Sequence, residues 1–144
     1  MAGGKASNVL EERSVLNVEH VTGIGGVFFR SKDPKALLEW YRIHLGIEPA
    51  EAFHGQVFRW KDPVGAEGST TWAIFPADTA YFGDPGSSFM INFRVEDLDR
   101  MLEQLRAAGV EVTDRMEDSE YGRFGWAVDP EGNRFELWQP AAGS

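Results

Sequence analysis

The segment GVFFRSKDPKALLEWYR, residues 26–42, recurs in altered form 64 positions later as MINFRVEDLDRMLEQLR, residues 90–106. Identical residues occupy equivalent places in the two copies, among them Asp33 and Asp97, each just before an apolar segment with helical spacing. A fixed internal offset is the signature of a chain built from repeated structural units. The sequence therefore predicts two copies of one unit.

A second match at the same offset joins EGSTTWAIFP, residues 67–76, to EGNRFELWQP, residues 131–140. Between the two matched segments each copy reads as a strand, a helix and further short strands bounded by turn residues. In the first copy Asp33 and Pro34 predict the helix start, and Gly46 predicts its end. The sequence predicts an α+β fold of two tandem βαβββ modules, with EPAEAFH, residues 48–54, as the second strand.

The length and composition fit one domain. The chain has 144 residues, 42% of them hydrophobic, which suits one compact core. Residues 1–19 carry mostly small and polar side chains and are predicted to form an N-terminal arm, ahead of a single domain at 20–144. Within it the two modules are expected at about 20–84 and 86–140.

Charge and residue content exclude several classes of function. The formal net charge is −9, with 14 Lys and Arg against 23 Asp and Glu, so a nucleic-acid partner is not expected. The chain has no cysteine, so thiolate metal sites are ruled out. No apolar run is long enough to span a membrane, and the first residues lack a secretory signal, so we expect a cytoplasmic protein without a membrane partner.

Alternation along the strands divides the side chains between two faces of the sheet. Ala73 and Phe75 are predicted on the helix face, together with Phe93 and Leu137. The other face mixes aromatic and polar side chains, as a ligand cavity does, although an ordinary sheet face buried in a dimer would show the same mixture. The residues predicted to bind a ligand on that face are Phe28, Arg30, Trp72, Met90, Asn92, Arg94, Glu136 and Trp138.

The repeated unit and the closing segment WAVDPEGNRFELWQP resemble the vicinal oxygen chelate superfamily. It includes glyoxalases, extradiol dioxygenases, fosfomycin-resistance enzymes and bleomycin-binding proteins. The resemblance spans about residues 21–140. It implies that the modules form a cupped mixed sheet with the helices on the outer face, and that two chains pair as a homodimer.

Members that use a divalent metal hold it inside the cup. Carried over by position, the ligand places in this chain are Gly26, Trp72, Met90 and Glu136. Only Glu136 supplies a ligand suited to Zn, Mn, Fe or Ni, and a catalytic ion normally needs three protein ligands. Of the three histidines only His54 is expected to reach the cup. We therefore expect no cofactor, and a divalent metal is disfavoured but not excluded.

Glu136 is the candidate catalytic residue, since a carboxylate among aromatic side chains needs a partner or a raised pKa. Arg30, Arg94 and Arg134 share its predicted face, so we expect an Arg–Glu pair across the cup. A raised pKa would also suit a general base that needs no metal.

Three functions remain open at this point. The first is a metal-independent protein that binds a small organic molecule in the cup. The second is a lyase, isomerase or dioxygenase-type enzyme that uses Glu136, with a rebuilt metal site or none. The third is an interaction module whose cup is largely filled and which works through dimerisation.

Overall fold

The computed structural model describes residues 19–142. Seven strands and two helices make up this part of the chain, in the order β1 (Gly23–Ser31), α1 (Pro34–Leu45), β2 (Gly55–Lys61), β3 (Glu67–Pro76), β4 (Phe89–Arg94), α2 (Leu98–Ala107), β5 (Glu111–Ser119), β6 (Gly122–Val128) and β7 (Arg134–Pro140).

All seven described strands form one mixed sheet in the order β2-β3-β1-β4-β7-β6-β5. The pairs β1 with β3 and β4 with β7 are parallel, and the other neighbours are antiparallel. The modules join edge to edge through β1 and β4. The predicted α+β fold with two related modules is confirmed.

Each helix begins where its sequence predicts. The carboxylate of Asp33 accepts a hydrogen bond from the backbone N–H of Ala36, and Pro34 occupies the first turn. Gly46 ends α1 in the left-handed conformation, with φ of 69°. In the second module Asp97 accepts from the backbone N–H of Arg100 in the same way. The two caps satisfy backbone donors that no helical carbonyl can reach.

The strand predicted at residues 48–54 does not form. Pro49 interrupts this segment and cannot donate to a ladder, and the backbone N–H of Ala50 instead donates to the carbonyl of Gly55, which closes a short loop. The first module is therefore βαββ, and only the second has the complete βαβββ order.

Apolar side chains pack on both faces of the sheet. On the face that meets the helices, the helix face, a core beside α2 contains Leu98, Leu102 and Leu137, with Phe93 and Phe135 packed against it. On the opposite face, the cup face, a second cluster is made of Phe28, Ala73, Phe82, Met90 and Trp126.

The predicted faces are right for β1, β4 and β7 and wrong for β3. Phe28 lies beside Ala73 in the β1–β3 register, and Val27 lies beside Trp72. Ala73 and Phe75 therefore belong to the cup face, and Trp72 packs on the helix face, with its ring 4.8 Å from that of Tyr41. A shift of one residue moves every side chain of a strand to the other face.

The one-residue shift has a simple origin. Asn92 pairs with Glu136 in the second module, whereas its equivalent, Phe28, pairs with Ala73. The offset between the modules is thus 64 residues at the first strand and 63 at the last. Ala73, not Trp72, is the structural counterpart of Glu136.

Most of the predicted N-terminal arm, residues 1–18, lies outside the described residues. Glu19, its last residue, is bound to the outer surface of α2. Its backbone N–H donates to Oε1 of Gln104 at 2.9 Å, and its carbonyl accepts from Nε2 of the same side chain at 3.0 Å. The domain therefore begins with a segment anchored on the second helix.

Candidate functional site

An open cavity of about 1180 Å³ lies on the cup face and extends towards residues 49–54. Its walls are mainly apolar and aromatic, and its floor holds one carboxylate and one amide. Four of the predicted ligand-binding residues line it, namely Phe28, Asn92, Glu136 and Trp138. The first module also contributes Gly25, Thr71 and Ala73. A concave apolar site with a few polar groups is the usual form of a small-molecule pocket.

Glu136 is held at the floor by strand pairing and by two hydrogen bonds. It lies in β7 opposite Trp126 and beside Asn92, with 1% of its surface exposed. Nδ2 of Asn92 donates to Oε1 of Glu136 at 2.6 Å. The hydroxyl of Tyr81 donates to Oε2. Both partners therefore stabilise the carboxylate without supplying a positive charge.

Burial is the main influence on the pKa values of Glu136 and Tyr81. It raises the pKa of Glu136 above its ordinary value, and the hydrogen bonds from Tyr81 and Asn92 offset part of that rise. The indole of Trp126 also acts to lower this pKa, although its Nε1 makes no hydrogen bond of ordinary geometry. Burial, and then the charge of Glu136, raise the pKa of Tyr81, so its hydroxyl stays a donor near neutral pH.

One acceptor at the floor has no partner among the described residues. Oδ1 of Asn92 is buried and unpaired. The bulge of β1 places Gly25 close against it, since a Cβ at position 25 would come within 2.1 Å of Oδ1 of Asn92 and 2.8 Å of Cε3 of Trp138. Only glycine therefore fits at this position, directly against the amide.

The predicted Arg–Glu pair is wrong. No ion pair joins Glu136 to a cation within residues 19–142. Arg30 turns instead to the linker loop, residues 77–88, between the two modules. Its guanidinium donates to the carbonyls of Ser87 at 2.6 Å and Thr79 at 2.7 Å, and it stacks on the ring of Phe82. Arg30 orders the loop that carries Tyr81.

The other predicted site residues lie near the cavity without lining it. Arg94 lies over the rings of Trp60 and Trp138, with its guanidinium carbon 5.1 Å from the centre of the latter. Met90 is fully buried in the cup-face cluster. Trp72 lies on the helix face, so its predicted place in the cup is wrong.

The donor set of the cup does not fit a divalent metal. The corrected ligand positions are Gly26, Ala73, Met90 and Glu136, and only Glu136 offers oxygen. No group of three His, Asp or Glu side chains able to hold an ion occurs between residues 19 and 142. Glu136 and His54, the histidine that lines the cavity, would together give two ligands, where a catalytic ion normally needs three.

Tyr81 is the important residue that the sequence did not reveal. It lies in the linker loop, 55 residues from Glu136 along the chain, and outside both repeated segments. Its ring stacks on that of Phe75 and meets Trp126 edge on. The only signal in the sequence was a tyrosine, an aromatic residue with a hydroxyl group, in the segment between the two modules. That signal does not show which way the side chain points.

A profile of the Glyoxalase/Bleomycin resistance protein/Dioxygenase superfamily matches residues 18–137. The chain belongs to this superfamily. No curated protein matches the sequence.

Solved structures share the fold at low identity. One is a variant of the Streptomyces coelicolor methylmalonyl-CoA epimerase in complex with 2-nitronate-propionyl-CoA, with 24% identity and a TM-score of 0.63 over 85% of this chain and 100% of that one. The methylmalonyl-CoA epimerase of Mycobacterium tuberculosis is 22% identical, with a TM-score of 0.52 over 84% and 89% of the two chains. A Legionella pneumophila structure described as an NAD-dependent benzaldehyde dehydrogenase is 16% identical, with a TM-score of 0.52 over 78% of this chain and 96% of that one. At these identities the likeness concerns the fold alone.

None of the helices between residues 19 and 142 has the length and apolar character needed to cross a membrane.

Proposed function

We propose that this superfamily member binds a small organic molecule in its cup and needs no metal to do so. The observation that carries the proposal is the open cavity, whose apolar walls end in a buried pair of polar groups, Glu136 and Asn92. Apolar walls favour an organic body, and the polar floor fixes its orientation. The lack of three suitable ligands on the floor argues for binding without an ion.

The size of the cavity also favours a binding protein over an interaction module with a filled cup. Phe82, Met90 and Trp126 pack in one cluster on the cup face and do not line the cavity. The part above β3 is bordered by small side chains, Thr71 and Ala73, and stays open. A ligand the size of two fused aromatic rings would fit there.

Calorimetric titration with 2-naphthylmethanol, a neutral aromatic alcohol, tests the proposal. Protein treated with EDTA should bind it, and added Zn, Mn, Ni or Fe(II) should leave the affinity unchanged. Val57→Trp, which places a large ring on a residue that lines the cavity, should weaken binding by about tenfold or more. Phe58→Trp, the next residue along the same exposed edge strand and on its other face, is the matched control.

Two results would contradict the proposal. One is binding that appears only after an ion is added, which would require a ligand set outside the described cup residues. The other is equal affinity in Val57→Trp and the unaltered protein, which would place the ligand elsewhere.

A second candidate is an isomerase-type enzyme in which Glu136 acts as a metal-free general base. The observation that favours it is the buried carboxyl at the floor of a cavity, because burial raises its pKa and a raised pKa makes a carboxylate a stronger base. The fold shared with methylmalonyl-CoA epimerases makes methylmalonyl-CoA the first compound to try. Deuterium uptake at its C2 in D₂O, lost in Glu136→Gln, would support this function. No uptake above the rate without protein would count against it.

A further inference from the structure

The floor of the cup offers a negative charge and a free acceptor together. Glu136 is almost completely buried, and within residues 19–142 it has hydrogen-bond donors but no ion-pair partner. Hydrogen bonds from neutral groups stabilise a buried carboxylate only in part, because the charge itself remains uncompensated. An ionised Glu136 is therefore complementary to a cation that enters from the cavity.

Asn92 supplies the second part of the site. Its Nδ2 is used by Glu136, so its carbonyl oxygen, Oδ1, remains as an acceptor without a partner, and 2% of the residue is exposed. A buried acceptor left without a donor costs free energy, and a ligand that donates a hydrogen bond there recovers it. Asn92 lies against the cavity, and Gly25 is the residue that packs directly on this oxygen.

The walls suit a cation that carries an apolar or aromatic body. Phe28 and Phe124 line the cavity, and aromatic ring faces attract positive charge when solvent is excluded. Trp138 lines it too, but its ring already stacks on Phe124 and lies beside the guanidinium of Arg94. The negative net charge of the chain, −9, also favours the approach of a cation over that of an anion.

We propose that the ligand of the cup is a small organic amine, whose protonated nitrogen pairs with Glu136 and donates a hydrogen bond to Oδ1 of Asn92. This inference rests on the proposed function and adds the chemical class of the ligand. The apolar part of the amine lies along the open half of the cup, against Phe28, Thr71 and Ala73.

Three ligands with one body and different head groups test the class. They are 2-naphthylmethylamine, 2-naphthylmethanol and 2-naphthoate, each titrated by calorimetry near neutral pH. The amine should bind about tenfold more tightly than the alcohol, because a charge-assisted hydrogen bond exceeds a neutral one by about that factor. The carboxylate should bind most weakly, since it meets another carboxylate at the floor.

Two substitutions locate the preference. Glu136→Gln should reduce the affinity for the amine to that for the alcohol, with the alcohol itself little changed. Glu103→Gln removes the same charge at an exposed position of α2 and controls for net charge. Gly25→Ala, which crowds Oδ1 of Asn92, should weaken all three ligands and serves as an independent variant if Glu136→Gln does not fold.

The outcomes separate the two proposals. If the alcohol or the carboxylate binds as tightly as the amine, or if Glu136→Gln keeps the preference for the amine, the ligand class is overturned and binding in the cup stands. If none of the three binds in a way that Val57→Trp weakens, both proposals fail.

Discussion

The two halves of the cup share one backbone plan and differ in side-chain volume. Structurally equivalent positions hold Gly26 and Met90 on the first strands, Gly55 in β2 and Trp126 in β6, and Ala73 and Glu136 on the last strands. In these three pairs the first module has the smaller residue, whereas in a fourth pair, Phe28 and Asn92, it has the larger one. The first half is therefore open, and the second half is filled and carries the carboxylate. The difference teaches that side chains, not the fold, decide where a ligand has room.

The linker loop increases this asymmetry. Tyr81 and Phe82 belong to neither repeated segment, and both extend over the cup face, where Phe82 is completely buried. The loop brings a hydrogen-bond donor to Glu136 and leaves its counterpart, Ala73, beside open space. An element outside the repeat thus sets the polarity of the site.

Phe82→Ala should produce the largest loss of stability. Phe82 is fully buried in the cup-face cluster, and deleting a buried ring costs about 3–5 kcal/mol. Urea denaturation measures the free energy of unfolding. Phe89→Ala, at a half-exposed position of β4, is the control and should cost much less. Equal losses would show that the loop does not fill the cup.

Arg30→Ala should cost about 2–3 kcal/mol, because its guanidinium stabilises the linker loop through the carbonyls of Ala77, Thr79 and Ser87. Limited proteolysis within residues 77–88 should become faster. Lys32→Ala, an exposed cation at the end of the same strand, is the control. If Arg30→Ala left both stability and proteolysis unchanged, the loop would be ordered by other contacts.

Asp33→Ala and Asp97→Ala should each cost about 1 kcal/mol, the usual value of a helix N-cap. The two losses of stability should agree within error, because each helix is capped by an aspartate in the same way. Urea denaturation of the two single variants and of the double variant makes the comparison. A large difference between the two losses would show that the modules are unequal on the helix face as well as on the cup face.

The smallest expected effect concerns Glu136 and depends on pH. Its pKa is raised by burial, so between the ordinary glutamate pKa and this raised value the unfolded chain loses the proton that the folded chain keeps. Stability therefore falls as pH rises through that window. Glu136→Gln cannot titrate, so its stability relative to the unaltered protein should increase with pH. A constant difference across the pH series would show that the carboxyl is not destabilised by burial.

Much of the fold could be predicted from the sequence, because its signals are local or repeated. The caps at Asp33 and Asp97 and the end of α1 at Gly46 depend on a few neighbouring residues, and they lie where predicted. The strand predicted at residues 48–54 was wrong. Apolar residues there favoured a strand, but Pro49 has no N–H to donate to a neighbouring strand.

The site was predicted only in part. Phe28, Asn92, Glu136 and Trp138 line the cavity as expected, since each follows from simple alternation along a strand. Arg30 was expected to pair with Glu136 and binds the linker loop instead. The direction of a long side chain depends on which carbonyls the folded loop brings near it. The alternation of residues along a strand cannot predict those carbonyls.

The sequence by itself determined that two related modules build this protein and that one carboxylate lies inside an apolar strand. Both facts depend on residue spacing within a module, which folding cannot change. Only the tertiary structure decided that Ala73, rather than Trp72, faces the cup, because register is set by pairing between distant strands. It also decided that Tyr81, far away in sequence, donates to Glu136, since that contact exists only once the modules have joined and the linker loop has folded over them.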